Sequence, residues 1–397
     1  MVTQNQVKAN NLKPEEAISA KLYYALLIAT FGLLFIGIVM ILSASTTVSY
    51  KQFNNQYIIF LRQLMFVGIG VVMMMAISRL PKVFFFKWSK VALWLSIVLL
   101  VLVLIPSIGI SVAGQRNWIS LWGPFRLQPS EIAKLTLIVW GSVVLNKQIR
   151  SKVTTWQNLL IPVFPVGTII AILVILEGDL GTALIIGPVL LSLFFAIGAP
   201  VKLFTWSAMA GLLGILLLSI QESYRVQRFL SWINPTAENQ DAGWQVTHGK
   251  YALASGGWTG IGLGASKEKW GWLPAAHTDF IFAVVGEELG LIGTLIVLVL
   301  IGTIAYVALT LARKTNDLFT KLIATSVMAW IVVQSIINVG AVLGLLPVTG
   351  VPLPLVSYGG SSLVFTMSAI GVLMAVLRAE PNVKAELKKK KSLRAVK

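Results

Sequence analysis

Long apolar runs dominate this chain, and each is long enough to cross the hydrocarbon core of a membrane. Leu22–Ser45, Leu159–Leu176 and Leu289–Leu311 are examples, and a helix needs about 20 residues to span a bilayer. Only 12% of the residues are charged, whereas about a quarter are charged in a soluble domain. The sequence therefore predicts an all-α polytopic integral membrane protein and excludes an ordinary soluble domain.

The pattern predicts ten transmembrane helices separated by polar connections. They lie near residues 22–46, 58–78, 88–106, 130–146, 158–176, 180–198, 203–220, 280–311, 322–345 and 361–378. Most Lys and Arg residues fall in alternate connections and at the two chain ends, so the positive-inside rule places both termini in the cytoplasm. We divide the chain into a cytoplasmic N-terminal tail (1–20), a transmembrane domain (21–379) and a basic cytoplasmic C-terminal tail (380–397). We expect the C-terminal tail to be disordered and held near anionic lipid headgroups.

Charge and cysteine content exclude several classes of function. A net charge of +17 would suggest nucleic acid as partner of a soluble chain, but here the cationic loops account for it, and we predict no nucleic-acid partner. The chain has no cysteine, which excludes a disulfide, a thiolate nucleophile and a thiolate metal site. With only two histidines, a His-rich metal site is not expected.

Three connections on the predicted outer side are unusually rich in Gly, Pro and polar residues. They are 107–129, 346–360 and the longest, Gln221–Thr278, which precedes the eighth helix and holds both histidines and five tryptophans. Tryptophan is typical of the headgroup layer of a membrane. We expect Gln221–Thr278 to be a functional extracytoplasmic loop, because structureless loops this long are uncommon otherwise. The alternative is a plain linker with interfacial anchors.

Several of the fifteen acidic residues lie where a bilayer disfavours them, and by default such residues mark a site. Asp279 opens the eighth span. A helix from Phe280 to Leu311 would be about 48 Å long, against a core of ~30 Å, so Glu287 and Glu288 should stand above the hydrocarbon or line a wet cavity. Asp279 is either a site residue or merely a helix N-cap. His277 is expected to shape its surroundings.

A second candidate pair is Glu131 and Lys134 at the outer start of the fourth helix. Three residues apart, they share a helix face. They are either an ion pair that helps a short helix to insert or a bundle-facing pair that supports a reacting group. Arg116 lies in the preceding outer segment, and a guanidinium suits bidentate binding of phosphate.

Two further segments could contribute. Glu177 to Thr182 predicts a tight turn, whose carboxylates Glu177 and Asp179 could face the same cavity. Gly350–Ser362 precedes the tenth helix, where Ser361 or Ser362 can cap it, and backbone N–H groups at such a start can bind an anion. The closely spaced glycines of Gly256–Gly264 lack the βαβ frame of a nucleotide-binding motif.

Four segments in register resemble the SEDS family (FtsW, RodA and SpoVE). They are Ala276–Gly290, Gln128–Lys134, Asp179–Thr182 and Leu353–Ser362, and the resemblance extends over roughly 20–380. The Val285-Gly-Glu-Glu288 sequence resembles the FtsW branch more than RodA. One departure is Glu177-Gly-Asp179, where the family usually has proline before the aspartate, which puts the rigidity of the turn in doubt.

The resemblance implies a peptidoglycan glycosyltransferase that polymerises lipid II at the outer face of the bacterial plasma membrane, during cell division. It implies Asp279 as catalytic aspartate, with Glu131 and Lys134 as its supporting pair. The predicted substrate-binding residues are Arg116, His277, Asp179, Ser357, Gly359, Gly360, Ser361 and Ser362. We expect a divalent cation (Mg²⁺ or Mn²⁺) at a site not identified, and no organic cofactor. The implied partners are lipid II, a class B penicillin-binding transpeptidase, divisome regulators and membrane lipids.

Three alternatives remain open. A lipid II flippase predicts acidic and polar residues at mid-membrane depth, whereas these residues cluster at the outer end. A non-catalytic septal scaffold predicts that Asp279→Asn is harmless. An elongation polymerase of the RodA type would share the chemistry and differ in place.

Overall fold

The computed structural model describes residues 18–112, 114–122, 125–151, 155–221, 232–233 and 242–395. In chain order the elements are α1 (Ala20–Phe53), α2 (Ile58–Ile77), α3 (Lys82–Leu104), β1 (Gly109–Val112), β2 (Gln115–Trp122), β3 (Phe125–Leu127), α4 (Pro129–Arg150), α5 (Trp156–Leu176), α6 (Leu180–Ala196), α7 (Val201–Gln221), α8 (Ala242–Gly256), α9 (Ile281–Lys314), α10 (Leu318–Val342), α11 (Ser361–Arg378) and α12 (Pro381–Ala395). The predicted N-terminal tail lies outside the described residues up to residue 17.

Helices α1 to α7 and α9 to α11 occupy the ten predicted positions in order. Within the described part of the chain, eight helices have the length and composition to cross a membrane. Leu180–Ala196 is a shorter apolar helix, and Val201–Gln221 occupies the predicted seventh position. The prediction of a polytopic, mostly helical membrane protein is confirmed.

Helix α11 lies inside the bundle. In its most apolar window 89% of the residues are buried, against 28% for α3 and for α5. Small residues allow this close packing: a Cβ added at Gly371 would lie 2.7 Å from the carbonyl oxygen of Met74 in α2. Helices in membranes commonly meet through such small residues. The first residues of α11, Ser361 and Ser362, are themselves buried.

One end of the bundle collects cationic and acidic side chains from several connections. Lys82 Nζ lies 2.7 Å from Asp317 Oδ2, and Arg150 Nη2 lies 3.5 Å from Asp317 Oδ1. Arg378 Nη1 donates to the carbonyl of Ser78 (3.1 Å), and Thr315 Oγ1 donates to Glu380 (2.9 Å). These residues belong to connections that the sequence assigns to the cytoplasm, so the alternation of the connections agrees with the structure.

The outer connection 107–129 contains the antiparallel sheet β1-β2-β3. Gly109 pairs with Ile119, and Ser120 pairs with Arg126. The sheet joins the end of α3 to the start of α4. An all-helical architecture was therefore an incomplete prediction, since this connection forms a sheet although its sequence is rich in turn residues.

The C-terminal tail also differs from the prediction, because α12 is a helix and not a disordered segment. Two contacts explain the difference. Val383 is fully buried, and Glu386 Oε2 accepts from the backbone N–H of Ala20 at 3.0 Å. A carboxylate at this place complements the positive end of the α1 dipole. The sequence of α12 alone, with lysines 388–391 in a row, could not show that α1 provides this contact.

The described part of the large outer loop is folded. Helix α8 leads through turns and a 3₁₀ helix, Glu268–Trp270, to the residues before α9. Trp258, Trp270 and Trp272 are largely exposed, and their location in the headgroup layer stays a prediction. The loop packs against α9, which places its last residues, 273–278, next to Asp279.

Candidate active site

Asp279 lies in a turn directly before α9. The helix begins at Ile281 with Phe280 at its cap position, so the alternative that Asp279 is the N-cap is wrong. The turn is closed by hydrogen bonds from the N–H groups of Thr278 and Phe280 to the carbonyl of Ala275, whose φ is +55°. The Asp279 side chain is only partly buried. Asp279 thus belongs to a turn that precedes the helix cap.

Helix α9 is kinked and not straight. Gly290 has φ 68° and ψ −164°, values outside the helical range. The kink separates the first segment, which contains Glu287 and Glu288, from the long apolar remainder. The expected overhang above the hydrocarbon is therefore a separate short segment with its own direction.

Glu131 and Lys134 form a buried ion pair on the first turns of α4. Lys134 Nζ lies 2.9 Å from Glu131 Oε1, and the side chains are 0% and 3% exposed. Lys134 also lies over the ring of Trp330, 4.6 Å from its centre. The second carboxylate oxygen of Glu131 is buried without a hydrogen-bond partner in the described part of the chain. The pair therefore faces the bundle, as the sharper of the two sequence interpretations required.

One face of α10 connects this pair to the Asp279 turn. Trp330 Nε1 donates to Gln334 Oε1 (2.7 Å), and Lys134 Nζ lies 3.5 Å from the same oxygen. Asn338 Nδ2 donates to the carbonyl of Asp279 at 2.8 Å. Trp330, Gln334 and Asn338 are spaced four residues apart and so share a helix face. Sequence reasoning missed them, although this spacing of polar groups in an apolar helix was a usable signal.

The segment before α11 is ordered by its own hydrogen bonds. Ser357 Oγ accepts from the N–H of Leu353 at 2.8 Å. Gly360, with φ 48°, occupies the cap position of α11. A glycine has no side chain, so no side-chain hydrogen bond caps the helix. The expectation that Ser361 or Ser362 caps the helix is therefore wrong.

The serines and glycines at this start lie beside other predicted site residues. Ser361 Oγ accepts from the N–H of Gln128 at 3.2 Å, immediately before α4. Ser361 and Ser362 are both buried, and Gly359 accepts from the N–H of Ser362 at 2.9 Å. The start of α11 is therefore joined to the start of α4, which carries Glu131.

Asp179 has a structural role in the turn between α5 and α6. It caps α6, with Oδ1 accepting from the N–H of Thr182 at 2.9 Å. Its Oδ2 accepts from Thr182 Oγ1 (2.7 Å), Gln128 Nε2 (2.9 Å) and Asn117 Nδ2 (3.3 Å). Both oxygens are thus occupied, and the tight-turn interpretation holds.

Glu177 precedes this cap and is buried with both carboxylate oxygens lacking partners in the described residues. Burial, together with the nearby Asp179 charge, raises the pKa of Glu177 to about 9. The carboxyl is therefore protonated at neutral pH. This carboxyl and Asp179 are neighbours, but they do not form a pair of free carboxylates.

Arg116 is tied to the same turn. Its backbone N–H donates to the carbonyl of Glu177 at 3.0 Å, and its Nη1 donates to the carbonyl of Leu104 at 3.4 Å. The described contacts of Arg116 thus link it to the end of α3 and to the α5–α6 turn. Its predicted binding of pyrophosphate stays a prediction.

His277 lies two residues before Asp279 and packs against Tyr358. Tyr358 donates its N–H to the carbonyl of His277 at 3.0 Å, and the ring centres are 5.7 Å apart. Burial lowers the pKa of His277 to about 4, so the imidazole is neutral at neutral pH. It can take part in hydrogen bonds but carries no charge to the site.

Comparison with known proteins decides the family. Residues 24–382 match the model of the family described as "Cell cycle protein", FTSW_RODA_SPOVE. This chain belongs to the FtsW/RodA/SpoVE family. The resemblance inferred from four sequence segments is confirmed over nearly the whole transmembrane domain.

This chain aligns with most of the length of its relatives in the family. It is 38% identical to the "Probable peptidoglycan glycosyltransferase FtsW" of Mycobacterium tuberculosis, over 92% of this chain and 70% of that protein. It is 36% identical to the "Stage V sporulation protein E" of Bacillus subtilis, over 89% and 96%.

Solved structures show the same fold. One, described as "Structural coordination of polymerization and crosslinking by a peptidoglycan synthase complex", matches with a TM-score of 0.70, 27% identity and coverage of 88% of this chain and 98% of the other. Thermus thermophilus RodA matches with a TM-score of 0.67, 25% identity and coverage of 90% and 97%.

In this member of the family, Glu287 and Glu288 hold the outer loop. Glu287 accepts from Ser266 Oγ (2.5 Å) and from the N–H of Lys267 (2.8 Å). Glu288 accepts from Lys269 Nζ (3.0 Å) and from Ser43 Oγ (2.6 Å). These buried carboxylates are therefore anchors of the loop that leads to Asp279, a role that sequence reasoning did not assign.

The glycines of 256–264 explain how the loop can lie so close to α9. A Cβ added at Gly256 would lie 1.9 Å from the carbonyl oxygen of Gly286, and one at Gly260 would lie 2.1 Å from that of Glu288. Close contact of two backbones requires residues without side chains. This glycine-rich segment is a packing feature and not a nucleotide-binding loop.

The carboxylates do not form an evident metal site. Among the residues that the structure describes, no group of three or more His, Asp or Glu side chains is arranged to hold a metal ion. The expected divalent cation therefore stays a prediction, without a ligand cluster of this kind among the described residues.

Proposed function

We propose that this protein is a peptidoglycan glycosyltransferase that polymerises lipid II at the outer face of the plasma membrane during cell division. Relatives from several bacteria carry the name "Probable peptidoglycan glycosyltransferase FtsW", and they cover 88–92% of this chain. The septal place of action is the finer part of the proposal, and the FtsW-like relatives support it.

The observation that carries the proposal is that one face of α10 contacts both the Glu131–Lys134 pair and the backbone of Asp279. The pair comes from α4 and Asp279 from the turn before α9. Hydrogen bonds through Gln334 and Asn338 connect the two. They come together at the end of the bundle that is opposite the Asp317 ion pairs. A carboxylate in a turn and a buried cation, both held by one face of α10 at the same end of the bundle, are suited to general-base chemistry on a phosphorylated substrate.

In the proposed reaction, Asp279 takes the proton from the sugar 4-hydroxyl of one lipid II molecule. The hydroxyl oxygen forms a bond to the anomeric carbon of the other molecule, and the bond to undecaprenyl pyrophosphate breaks with its electron pair. A single displacement of this kind inverts the anomeric centre. Pyrophosphate is a good leaving group, so the site needs positive charge nearby more than it needs a strong acid.

Lys134 is the buried cation best placed to support that charge. Its Nζ is held by Glu131 Oε1 and faces Gln334. Arg116 is a further proposed contact of the substrate. So are the start of α11 and the segment before it, through Ser357, Gly359, Gly360, Ser361 and Ser362. A divalent cation is a further proposed source of positive charge, which would neutralise the pyrophosphate when bound.

We also propose a class B penicillin-binding transpeptidase as partner, with divisome regulators controlling the pair. A structural neighbour belongs to a complex described as joining polymerization and crosslinking. That neighbour supports a synthase assembly for this chain. The identity of the partner comes from the family resemblance.

The test is polymerisation of purified lipid II by the purified full chain, with and without its transpeptidase. We expect glycan strands to form with the transpeptidase present and undecaprenyl pyrophosphate to be released in proportion. The same assay with excess chelator tests the cation. Absence of strands under all conditions, together with transfer of lipid II across vesicles, would replace the proposal by the flippase alternative.

A further inference from the structure

We infer that Asn338 is a positioning residue, which holds the Asp279 turn and the segment before α11 together so that the Asp279 carboxylate is correctly placed. The inference rests on the proposed function, because it assigns a role at the same site. It adds a residue of α10 that touches the backbone of the reacting residue and not the substrate.

The Asn338 amide bridges two chain segments that are distant in sequence. Its Nδ2 donates to the carbonyl of Asp279 and to the carbonyl of Val351, each at 2.8 Å. Its side chain is buried, at 2% exposure. One NH₂ group has two hydrogens, so both are used. The two carbonyls belong to residues outside the helices and strands.

The two bridged segments meet at the Asp279 carboxylate. Gly350, the neighbour of Val351, has φ 78°, and a Cβ placed on it would lie 3.9 Å from Asp279 Oδ2. The backbone at Gly350 therefore forms one wall beside the carboxylate. Because Asn338 fixes the carbonyl on each side of this contact, it sets the distance between that wall and the carboxylate.

A second amide, one turn earlier on α10, repeats the arrangement. Gln334 Nε2 donates to the carbonyl of Pro352 at 2.8 Å, while its Oε1 accepts from Trp330 and faces Lys134. The two amides thus fix successive carbonyls, Val351 and Pro352. The rigid helix α10 carries both, so the Lys134 and Asp279 halves of the site keep one geometry.

The physical consequence is a loss of rate more than of substrate affinity. Removing the amide takes away the hydrogen bonds from Asn338 to both carbonyls, and small displacements of a catalytic group lower the rate strongly. The substrate contacts proposed at Lys134 and at the start of α11 do not involve Asn338. We therefore expect kcat to fall and KM to change little.

The test uses three variants of the full chain in complex with its transpeptidase. Asn338→Leu keeps the branched shape and the number of heavy atoms and removes both donors, and Asn338→Ser keeps one short donor. Ser335→Ala is the matched control: Ser335 is also buried on α10, but its hydroxyl donates within the helix to the carbonyl of Ile331 (2.7 Å). kcat and KM for lipid II polymerisation are measured for each, in the wild-type and in the Asp279→Asn background.

We expect Asn338→Leu to lower kcat about 10–100-fold, with KM within about threefold of wild type and Ser335→Ala near wild type. In the Asp279→Asn background, Asn338→Leu should cause no further loss, because the positioned carboxylate is already absent. If Asn338 had a merely structural role, Asn338→Leu would lower kcat by the same factor in both backgrounds. Such an equal loss, or an unchanged kcat, would overturn the inference.

If Asn338→Leu does not accumulate in membranes, Asn338→Ser serves as the test. We expect Asn338→Ser to lower kcat less than Asn338→Leu would, again with little change in KM. An unchanged kcat in a folded Asn338→Ser protein would equally overturn the inference. A wild-type complex that makes no glycan would instead contradict the proposed function. The two failures are thus distinguishable within one assay.

Discussion

At the residue scale, the structure separates carboxylates that look alike in the sequence. Asp179 is a fully hydrogen-bonded cap, Glu287 and Glu288 anchor a loop, Glu131 is half of a buried pair, and Asp279 is presented by a turn. The sequence could place all of them at helix ends. It could not sort them, because their partners, such as Gln128 for Asp179, come from distant segments.

Glu177 gives a prediction of pH dependence. The folded chain keeps this carboxyl protonated up to about pH 9, whereas in the unfolded chain it ionises near its ordinary pKa of 4.5. The folded state therefore binds more protons between these values, and its stability falls as pH rises through that window. Glu177→Gln should remove this part of the pH dependence.

The measurement is the thermal unfolding of wild type and Glu177→Gln in detergent between pH 5 and pH 9. We expect the midpoint of the wild type to fall more steeply with pH, and the variant to be at least as stable at pH 8. Identical slopes for the two proteins would show that Glu177 titrates normally.

Lys134 gives a prediction of activity that can be separated from stability. Lys134→Ala leaves Glu131 as a buried unpaired charge, which costs about 3–5 kcal/mol, and it removes the cation from the site. We expect loss of polymerisation, whereas Lys51→Ala, at the exposed end of α1, should retain most activity.

A double variant separates the two effects of Lys134. Glu131→Gln combined with Lys134→Met has no buried charge and should recover most of the stability, as measured by thermal unfolding. It should remain inactive, because the cation is still absent. Recovery of activity together with stability would make the pair purely structural.

At the element scale, helix positions were predictable and their interruptions were not. Apolar length determines where a helix can span, and the ten predicted helices appear in order. The kink at Gly290 was not predictable, because a glycine is tolerated within a helix and the cause is the loop backbone of Trp258 and Gly260 packed against it. The sheet at 109–127 and helix α12 were missed for the same reason: contacts with other elements stabilise them.

Gly290 tests the importance of the kink. Alanine at this position is strained at φ 68°, and its Cβ would lie 2.4 Å from the N atom of Gly260. Gly290→Ala should therefore displace the outer loop, lower thermal stability by about 1–3 kcal/mol and reduce polymerisation. Gly302→Ala, in the same helix with no atom within 4 Å of the added Cβ, is the control and should be neutral or slightly stabilising. Equal behaviour of the two variants would show that the kink is dispensable.

At the scale of the whole molecule, the Asp317 ion pairs and the candidate site occupy opposite ends of the bundle. The Asp317 ion pairs lie where α3, α4, α10 and α11 meet on one end, and the starts of α4 and α11 and the turn before α9 meet on the other. The sequence predicted this division from the alternation of cationic connections. It could not predict that α10 would connect the two halves of the site, since only folding brings Gln334 beside Lys134.

Orientation in the membrane is tested by single cysteines in this cysteine-free chain. Ser151 and Thr259 are exposed at opposite ends. The reagent is a maleimide that cannot cross the plasma membrane, applied to cells whose outer layers admit it. We expect it to label Thr259→Cys in intact cells, and to label Ser151→Cys only after the plasma membrane is lysed. Labelling in the reverse order would place the substrate sugars on the wrong side of the membrane for Asp279.

The role of Asp279 as general base can be tested in a single assay. Lipid II polymerisation by the purified Asp279→Asn chain with its transpeptidase is compared with wild type, after both are shown to insert and to bind the partner. Asparagine keeps the size and polarity of the side chain but cannot accept the proton, so we expect a loss of about 10²–10⁴-fold in rate. A variant that polymerises lipid II within a few-fold of wild type would contradict it.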